Sequence, residues 1–123
     1  SINLFSELWS DRMSENVGFA GQISPAHVAQ VVEKGFKSII NNRPDMEGGP
    51  EQPTSAQIEE SARNAGLDYV YQPVIAGQIT EVDVRTFANH FNELPKPILM
   101  FCRTGNLSNN LYQLAKQMDL LDD

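Results

Sequence analysis

Apolar positions along this chain alternate between short continuous runs and stripes spaced by three and four residues, the marks of strands and amphipathic helices in succession. Val17 to Gln22 predicts an edge strand. Ser24-Pro25 then reads as an N-cap followed by proline at the first helical position; Val28, Val31 and Val32 supply an apolar face, and Gly35 is a natural terminator. Phe36 to Asn41, centred on Ile39 and Ile40, predicts a buried strand closed by the turn-rich segment Asn42 to Pro53. The pattern recurs with a helix from about Thr54 to Ala65, Gly66 as its stop, and a strand from Leu67 to Gln72 that leads to Pro73.

A third helix is signalled by Thr80-Glu81-Val82-Asp83, which has capping-box spacing, followed by an apolar stripe of Val84, Phe87, Ala88, Phe91 and Leu94. Pro95-Lys96-Pro97 stops it and feeds Ile98 to Phe101, an apolar run short enough for a central parallel strand. Beyond Gly105, Leu107, Leu111, Leu114 and Met118 form one stripe of a final helix that fades into the acidic end Asp119 to Asp123, read as a solvated helix terminus. Serial αβ units predict an α/β fold: a mostly parallel central sheet of four to five strands flanked by helices. The Gly48-Gly49-Pro50 loop and both ends are the expected flexible spots.

Composition narrows the class. A chain of 123 residues, 41% hydrophobic and 20% charged, suits one domain over residues 1–123. Its single cysteine, Cys102, excludes an internal disulfide framework and a multi-cysteine zinc site, which points to a reducing, cytoplasmic setting. No stretch approaches the roughly 20 apolar residues of a membrane span, and Ser1 to Ser10 lacks the basic and apolar regions of a signal sequence. A net charge of −7 works against nonspecific attraction to nucleic acid or anionic membrane. His27 and His90 lie on predicted helices outside ligand spacing of each other or of Cys102, so no metal and no cofactor is expected. Phe5, Leu8 and Trp9 are read as a satellite cluster tucked against the domain.

In a parallel αβ sheet, ligands gather beyond the carboxyl ends of the strands, where the next helix presents free N–H groups. Those ends lead into Asn42-Arg43-Pro44-Asp45, into Pro73 to Gln78, and into Cys102-Arg103-Thr104-Gly105-Asn106-Leu107-Ser108. Only the last holds a nucleophile. A strand, Cys102, a tight loop with Gly105 and then a helix would aim backbone N–H groups at an anion, set the helix dipole near sulfur and put Arg103 close by, all favouring thiolate. The plainer alternative is a small core cysteine at the end of a buried strand. Arg103-Thr104-Gly105 makes the loop polar where a core filler needs nothing polar.

With Gly21-Gln22-Ile23-Ser24-Pro25, Ile39 to Asp45, Gly77-Gln78-Ile79-Thr80 and Cys102-Arg103-Thr104-Gly105 in this order, the chain resembles a bacterial protein tyrosine phosphatase-like family, the phosphatase-like domain also found fused to beta-lactamase-fold hydrolases. The resemblance covers nearly the whole chain. It implies the fold of the cysteine-dependent, dual-specificity-type phosphatases, in which a thiolate attacks phosphorus and a loop arginine clamps the phosphate oxygens. The wider superfamily carries that arginine where this chain has Ser108, and the nearer family one residue earlier, where this chain has Leu107. A guanidinium gives two parallel charge-assisted hydrogen bonds to a phosphoryl group; leucine gives none. Backbone N–H groups, Ser108 and Arg43 or Arg103 would have to hold the anion. The superfamily's histidine before the cysteine is Phe101, and Pro73-Val74-Ile75-Ala76-Gly77 offers no general-acid aspartate. Asp45 is the best substitute acid, with Asp83 behind it, and an internal ion pair within Arg43-Pro44-Asp45 is the competing reading.

Three functions follow from these residues. The leading one is a cysteine-phosphatase-like hydrolase of phosphomonoesters, its partner a phosphorylated small molecule or phosphoprotein, with Cys102 as nucleophile. A second is rhodanese-like sulfur transfer, because Cys-Arg-x-Gly-Asn resembles a persulfide-forming loop. The third is a domain that binds an anion or a protein without turnover, for which Leu107, Phe101 and Ala76 all argue.

Overall fold

The computed structural model describes residues 16–122. Phe5, Leu8, Trp9 and Asp123 lie outside them. In chain order the elements are β1 (Val17–Ala20), a 3-10 turn (Pro25–His27) running into α1 (Val28–Glu33), β2 (Ser38–Asn41), α2 (Ser55–Asn64), β3 (Asp68–Tyr71), α3 (Glu81–Glu93), β4 (Ile98–Phe101) and α4 (Asn106–Gln117). The strands form one 4-stranded sheet in the order β1-β4-β2-β3, and every pairing is parallel, with Ser38 opposite both Ile98 and Asp68 and Val17 opposite Ile98. The expected α/β architecture is borne out.

A parallel sheet covered on both faces needs strands that are apolar at every position, and β4 meets this with Ile98, Leu99, Met100 and Phe101 all at 0% exposure. Successive side chains serve opposite layers. Leu99 and Phe101 join Ile39, Val31, Ile58 and Ala62 under α1 and α2, while Ile98 and Met100 join Ile40, Phe87, Phe91, Leu111 and Tyr112 under α3 and α4. Each Val, Leu, Ile, Phe or Met among them contributes about 1.5–3 kcal/mol on burial. Both long central helices start as their sequences direct: Thr54 and Thr80 accept the N–H groups of Gln57 and Asp83, whose side chains return the bond. Gly35 and Gly66, at φ +90 and +85, end the preceding helices.

Two expectations need correction. The buried face of α4 is Ser108, Leu111, Tyr112 and Ala115; Leu114 and Met118 are each 37% exposed, so the leucine stripe is not the core seam. The segment around Gly48-Gly49-Pro50, expected to be flexible, is braced: Gln52 Oε1 accepts the Gly48 N–H at 2.7 Å and Gln52 Nε2 donates to the Pro44 carbonyl at 3.0 Å. The acidic end is tied as well, since Asn92 bridges the Leu120 carbonyl and the Asp122 N–H. Among the described residues no helix is long and apolar enough to cross a membrane.

Candidate anion-binding active site

β4 stops at Phe101, and the chain turns within Cys102 to Gly105 into α4. Cys102 is still strand-like at its backbone, its N–H donating to the Ala20 carbonyl at 3.3 Å. Gly105 makes the turn possible. It adopts φ +92 as the N-cap of α4, a left-handed conformation that costs other residues of order 1–3 kcal/mol, and its N–H donates to Cys102 Sγ at 3.1 Å. The sulfur therefore meets the positive end of a peptide dipole at a helix start, where first-turn N–H groups have no intrahelical acceptor. Thr104 Oγ1 accepts the Asn106 N–H at 3.4 Å and closes the loop on itself. Arg103 is exposed.

A cavity of about 500 Å³ opens over this loop, with Cys102 on its wall although only 5% of that residue is exposed. Arg103, Thr104, Asn106 and Leu107 line the cavity from the loop and α4; Asn42, Arg43, Pro44 and Glu47 line it from the β2 end; Val74, Ala76, Gly77 and Ile79 line it from the β3 end. Three strand ends thus converge. Leu107 is half-buried and also packs against the core layer under α3 and α4. It presents an apolar wall where the family resemblance implies a guanidinium.

Arg43 brings positive charge to the opposite wall. Its backbone N–H donates to Asn41 Oδ1 at 2.8 Å, its Nε to Glu47 Oε1 at 2.8 Å, and its Nη1 to Gln22 Oε1 at 3.0 Å. The side chain is only 11% exposed. The ion pair in this loop is therefore Arg43–Glu47, not a pair within Arg43-Pro44-Asp45, because Asp45 is engaged elsewhere: its Oδ1 accepts the Ser55 N–H at 2.8 Å and caps α2. Asp45 does not line the cavity, and neither does Asp83, whose Oδ2 accepts the Thr80 N–H at 3.0 Å.

Ser108 was expected in the anion cradle, and the structure places it beneath that cradle. It is fully buried, and its hydroxyl donates to Asn42 Oδ1 at 2.8 Å. Asn42 in turn gives Nδ2 to the Gln72 carbonyl at 3.0 Å and its N–H to the Phe101 carbonyl at 2.8 Å, and accepts from the Val74 N–H at 3.0 Å. One asparagine joins the three strand ends. The residues missed in the sequence are thus Asn42, Gln22 and Glu47. Only Glu47 carries a local signal, an opposite charge four residues after Arg43. His27 faces its own turn, with Nδ1 accepting the Ser24 N–H at 3.0 Å. Among the described residues no group of three or more His, Cys, Asp or Glu is placed to hold a metal.

The chain is 39% identical over 108 residues to a "Beta-lactamase hydrolase-like protein" of Agrobacterium fabrum, covering 88% of this chain and 25% of that one. A relative of the same name from Xylella fastidiosa is 34% identical over 107 residues. The chain thus spans about a quarter of the length of the curated relatives it matches, 25% in each case. Among solved structures, a candidate phosphatase of Neisseria meningitidis superposes with a TM-score of 0.79 at 34% identity, covering 86% of this chain and 75% of that one. TpbA of P. aeruginosa shares the fold with a TM-score of 0.58 at 17% identity, covering 76% and 53%. The family model for the phosphatase-like domain of beta-lactamase hydrolase-like proteins matches residues 11–119, and the chain belongs to that family.

Proposed function

We propose that this domain is a cysteine-dependent phosphatase acting on phosphomonoesters, with Cys102 Sγ as the nucleophile. The observation that carries the reading is Cys102 on the wall of a cavity at the start of α4, with the Gly105 N–H directed at its sulfur from 3.1 Å. A phosphoryl group entering the cavity meets first-turn N–H groups of α4 and the Arg43 guanidinium. Sulfur attacks phosphorus, the S–P bond forms as the ester P–O bond breaks, and water then releases phosphate from the thiophosphoryl enzyme. A small phosphorylated molecule or a phosphorylated side chain both present this group.

Leu107 sets the expected rate. Removal of one preorganised oxyanion donor costs on the order of 2.7–4 kcal/mol in barrier height, so turnover is expected to be slow. Hydrolysis of p-nitrophenyl phosphate tests the reading, with Cys102→Ser as the control. Activity should vanish in the variant, and a phosphoryl adduct on the native chain should appear by intact mass after an acid quench. Turnover indifferent to Cys102→Ser would remove the thiol from the chemistry.

A second reading, transfer of sulfane sulfur through a Cys102 persulfide, is favoured by the same Leu107. A persulfide anion carries one charge against the two of a phosphoryl dianion, so it depends less on a guanidinium, and an apolar wall suits it better. A persulfide mass on Cys102 after thiosulfate, with no phosphate-ester turnover, would replace the first reading by this one.

A further inference from the structure

Loss of an ester oxygen from phosphorus as an alkoxide is slow unless a proton reaches that oxygen, so a phosphatase of this type needs an acid at its cavity. Among the described residues, Glu47 is the carboxylate that lines the cavity with Cys102. Asp45 caps α2 through Ser55 and Asp83 caps α3 through Thr80. Glu47 has one oxygen, Oε1, on Arg43 Nε at 2.8 Å, and its side chain is 31% exposed. Its other oxygen has no partner among the described residues.

The loop holds this carboxyl group in place from several sides. The Glu47 N–H donates to the Pro44 carbonyl at 3.2 Å, the neighbouring Gly48 N–H is fixed by Gln52, and the Asp45 N–H donates to the Tyr71 hydroxyl at 2.8 Å. Arg43 uses Nε on Glu47 and Nη1 on Gln22, while Nη2 has no hydrogen-bond partner among the described residues. A guanidinium has donors enough to hold a carboxyl group on one edge and an anion on another. A single side chain thereby sets the spacing between bound phosphoryl group and acid.

We propose that Glu47 is the proton donor to the leaving oxygen, an inference that rests on the phosphatase reading above. In the first half-reaction the Cys102 S–P bond forms, the P–O ester bond breaks, and Glu47 gives the departing oxygen a proton that enters with the ester monoanion, whose binding to Arg43 releases Glu47 from the ion pair. In the second, a water oxygen bonds to phosphorus, the S–P bond breaks to return the thiolate, and one water proton passes to the Glu47 carboxylate. Protons and electron pairs balance over the cycle, and no co-reactant beyond water is needed.

The test is a leaving-group series. With Glu47→Gln, kcat/KM for an alkyl phosphate, whose leaving oxygen must be protonated, should fall about 100-fold or more, the usual size of a general-acid contribution. For p-nitrophenyl phosphate, whose phenolate departs unaided, it should fall less than about fivefold. Glu47→Asp should recover part of the alkyl-ester activity, which a merely structural role would not require. Equal losses on both esters, or a leaving-group-selective loss in Asp45→Asn instead, would overturn the assignment while the Cys102→Ser control still upheld the phosphatase. A native protein inert on every ester would overturn both together.

Discussion

The two loops that face each other across the cavity are built on different principles. The Cys102–Gly105 loop is short and makes its own site: a left-handed glycine turns an N–H onto the sulfur, and the helix that follows supplies the field. The segment from Asn42 to Gln52 is longer and is shaped by side chains reaching across it, Gln52 to Gly48 and Pro44, Asp45 to Ser55, and Asn41 to Arg43. The first loop carries the nucleophile, with apolar Leu107 just beyond it in α4. The second carries the Arg43–Glu47 ion pair, its guanidinium half-buried and its carboxylate exposed. The clamp arginine that the family resemblance places in the nucleophile's loop is here Leu107, and of the two cavity arginines, exposed Arg103 and half-buried Arg43, the one fixed by side-chain bonds belongs to the second loop, so the site's polarity depends on how that loop is tethered.

The sharpest way to break that division is to put the cation back. Leu107→Arg adds a guanidinium at the first turn of α4, beside Arg103 on the same side of the cavity, while the arginine stem can cover the apolar neighbours that leucine now touches. Phosphate-ester turnover should rise by on the order of 10²–10³, the inverse of removing an oxyanion donor. Steady-state kinetics on p-nitrophenyl phosphate checks this. No gain would mean that Arg43 already meets the need for a guanidinium.

A smaller effect is expected from cutting the base of the second loop. The Tyr69 hydroxyl, 5% exposed as a residue, accepts from Asn41 Nδ2 at 3.0 Å and shares a 2.8 Å bond with Ser55 Oγ. Asn41 in turn holds the Arg43 N–H, and the Ser55 N–H holds Asp45. Burial raises the Tyr69 ionisation above the ordinary tyrosine value, with the bonds to Ser55 and Asn41 opposing it. The folded state thus favours the neutral phenol. Its contribution to stability is fully present below about pH 10, the ordinary value, and is lost as pH rises through the folded value. Tyr69→Phe should cost about 1–3 kcal/mol at neutral pH by leaving buried polar groups unpaired, and should remove part of the alkaline decline. Denaturant melts from neutral to strongly alkaline pH check both; parallel curves for the two proteins would exclude Tyr69 as a source of the decline.

The same contrast explains what the sequence could disclose. The Cys102 loop was legible because its parts are consecutive, as were the capping boxes at Thr54 and Thr80 and the continuous apolar run of β4. The buried face of α4 was not, since Ser108 and Tyr112 are polar or half-polar residues that the hydrophobic pattern passes over in favour of Leu114 and Met118. Ser108 is inside because Asn42, 66 residues earlier, accepts its proton. Glu47 was hidden for a related reason. Whether Arg43 pairs with Asp45 or Glu47 depends on the Ser55 N–H at the start of α2, which claims Asp45 first. Periodicity reports a residue's own element; it says nothing of a partner delivered by another.

Gly48 sharpens the comparison with the least disturbance. Its φ does not lie in the left-handed region, yet a Cβ built there would sit 2.7 Å from Arg43 Nη2 and 3.2 Å from Gln52 Oε1. Backbone conformation does not call for glycine here; the resting place of the guanidinium does. Because the obstructing atoms end flexible side chains, Gly48→Ala should displace Arg43 rather than unfold the loop, and stability should change by no more than about 0.5 kcal/mol, as for an ordinary surface substitution. Inorganic phosphate should nevertheless bind about tenfold more weakly, a difference of about 1.4 kcal/mol, read as inhibition of ester hydrolysis or by calorimetry. In the first loop, by contrast, Gly105→Ala imposes a side chain on a left-handed residue and must reduce stability along with binding. A Gly48→Ala protein that lost stability and affinity together would place both loops under the same backbone constraint, and the division of labour between them would no longer hold.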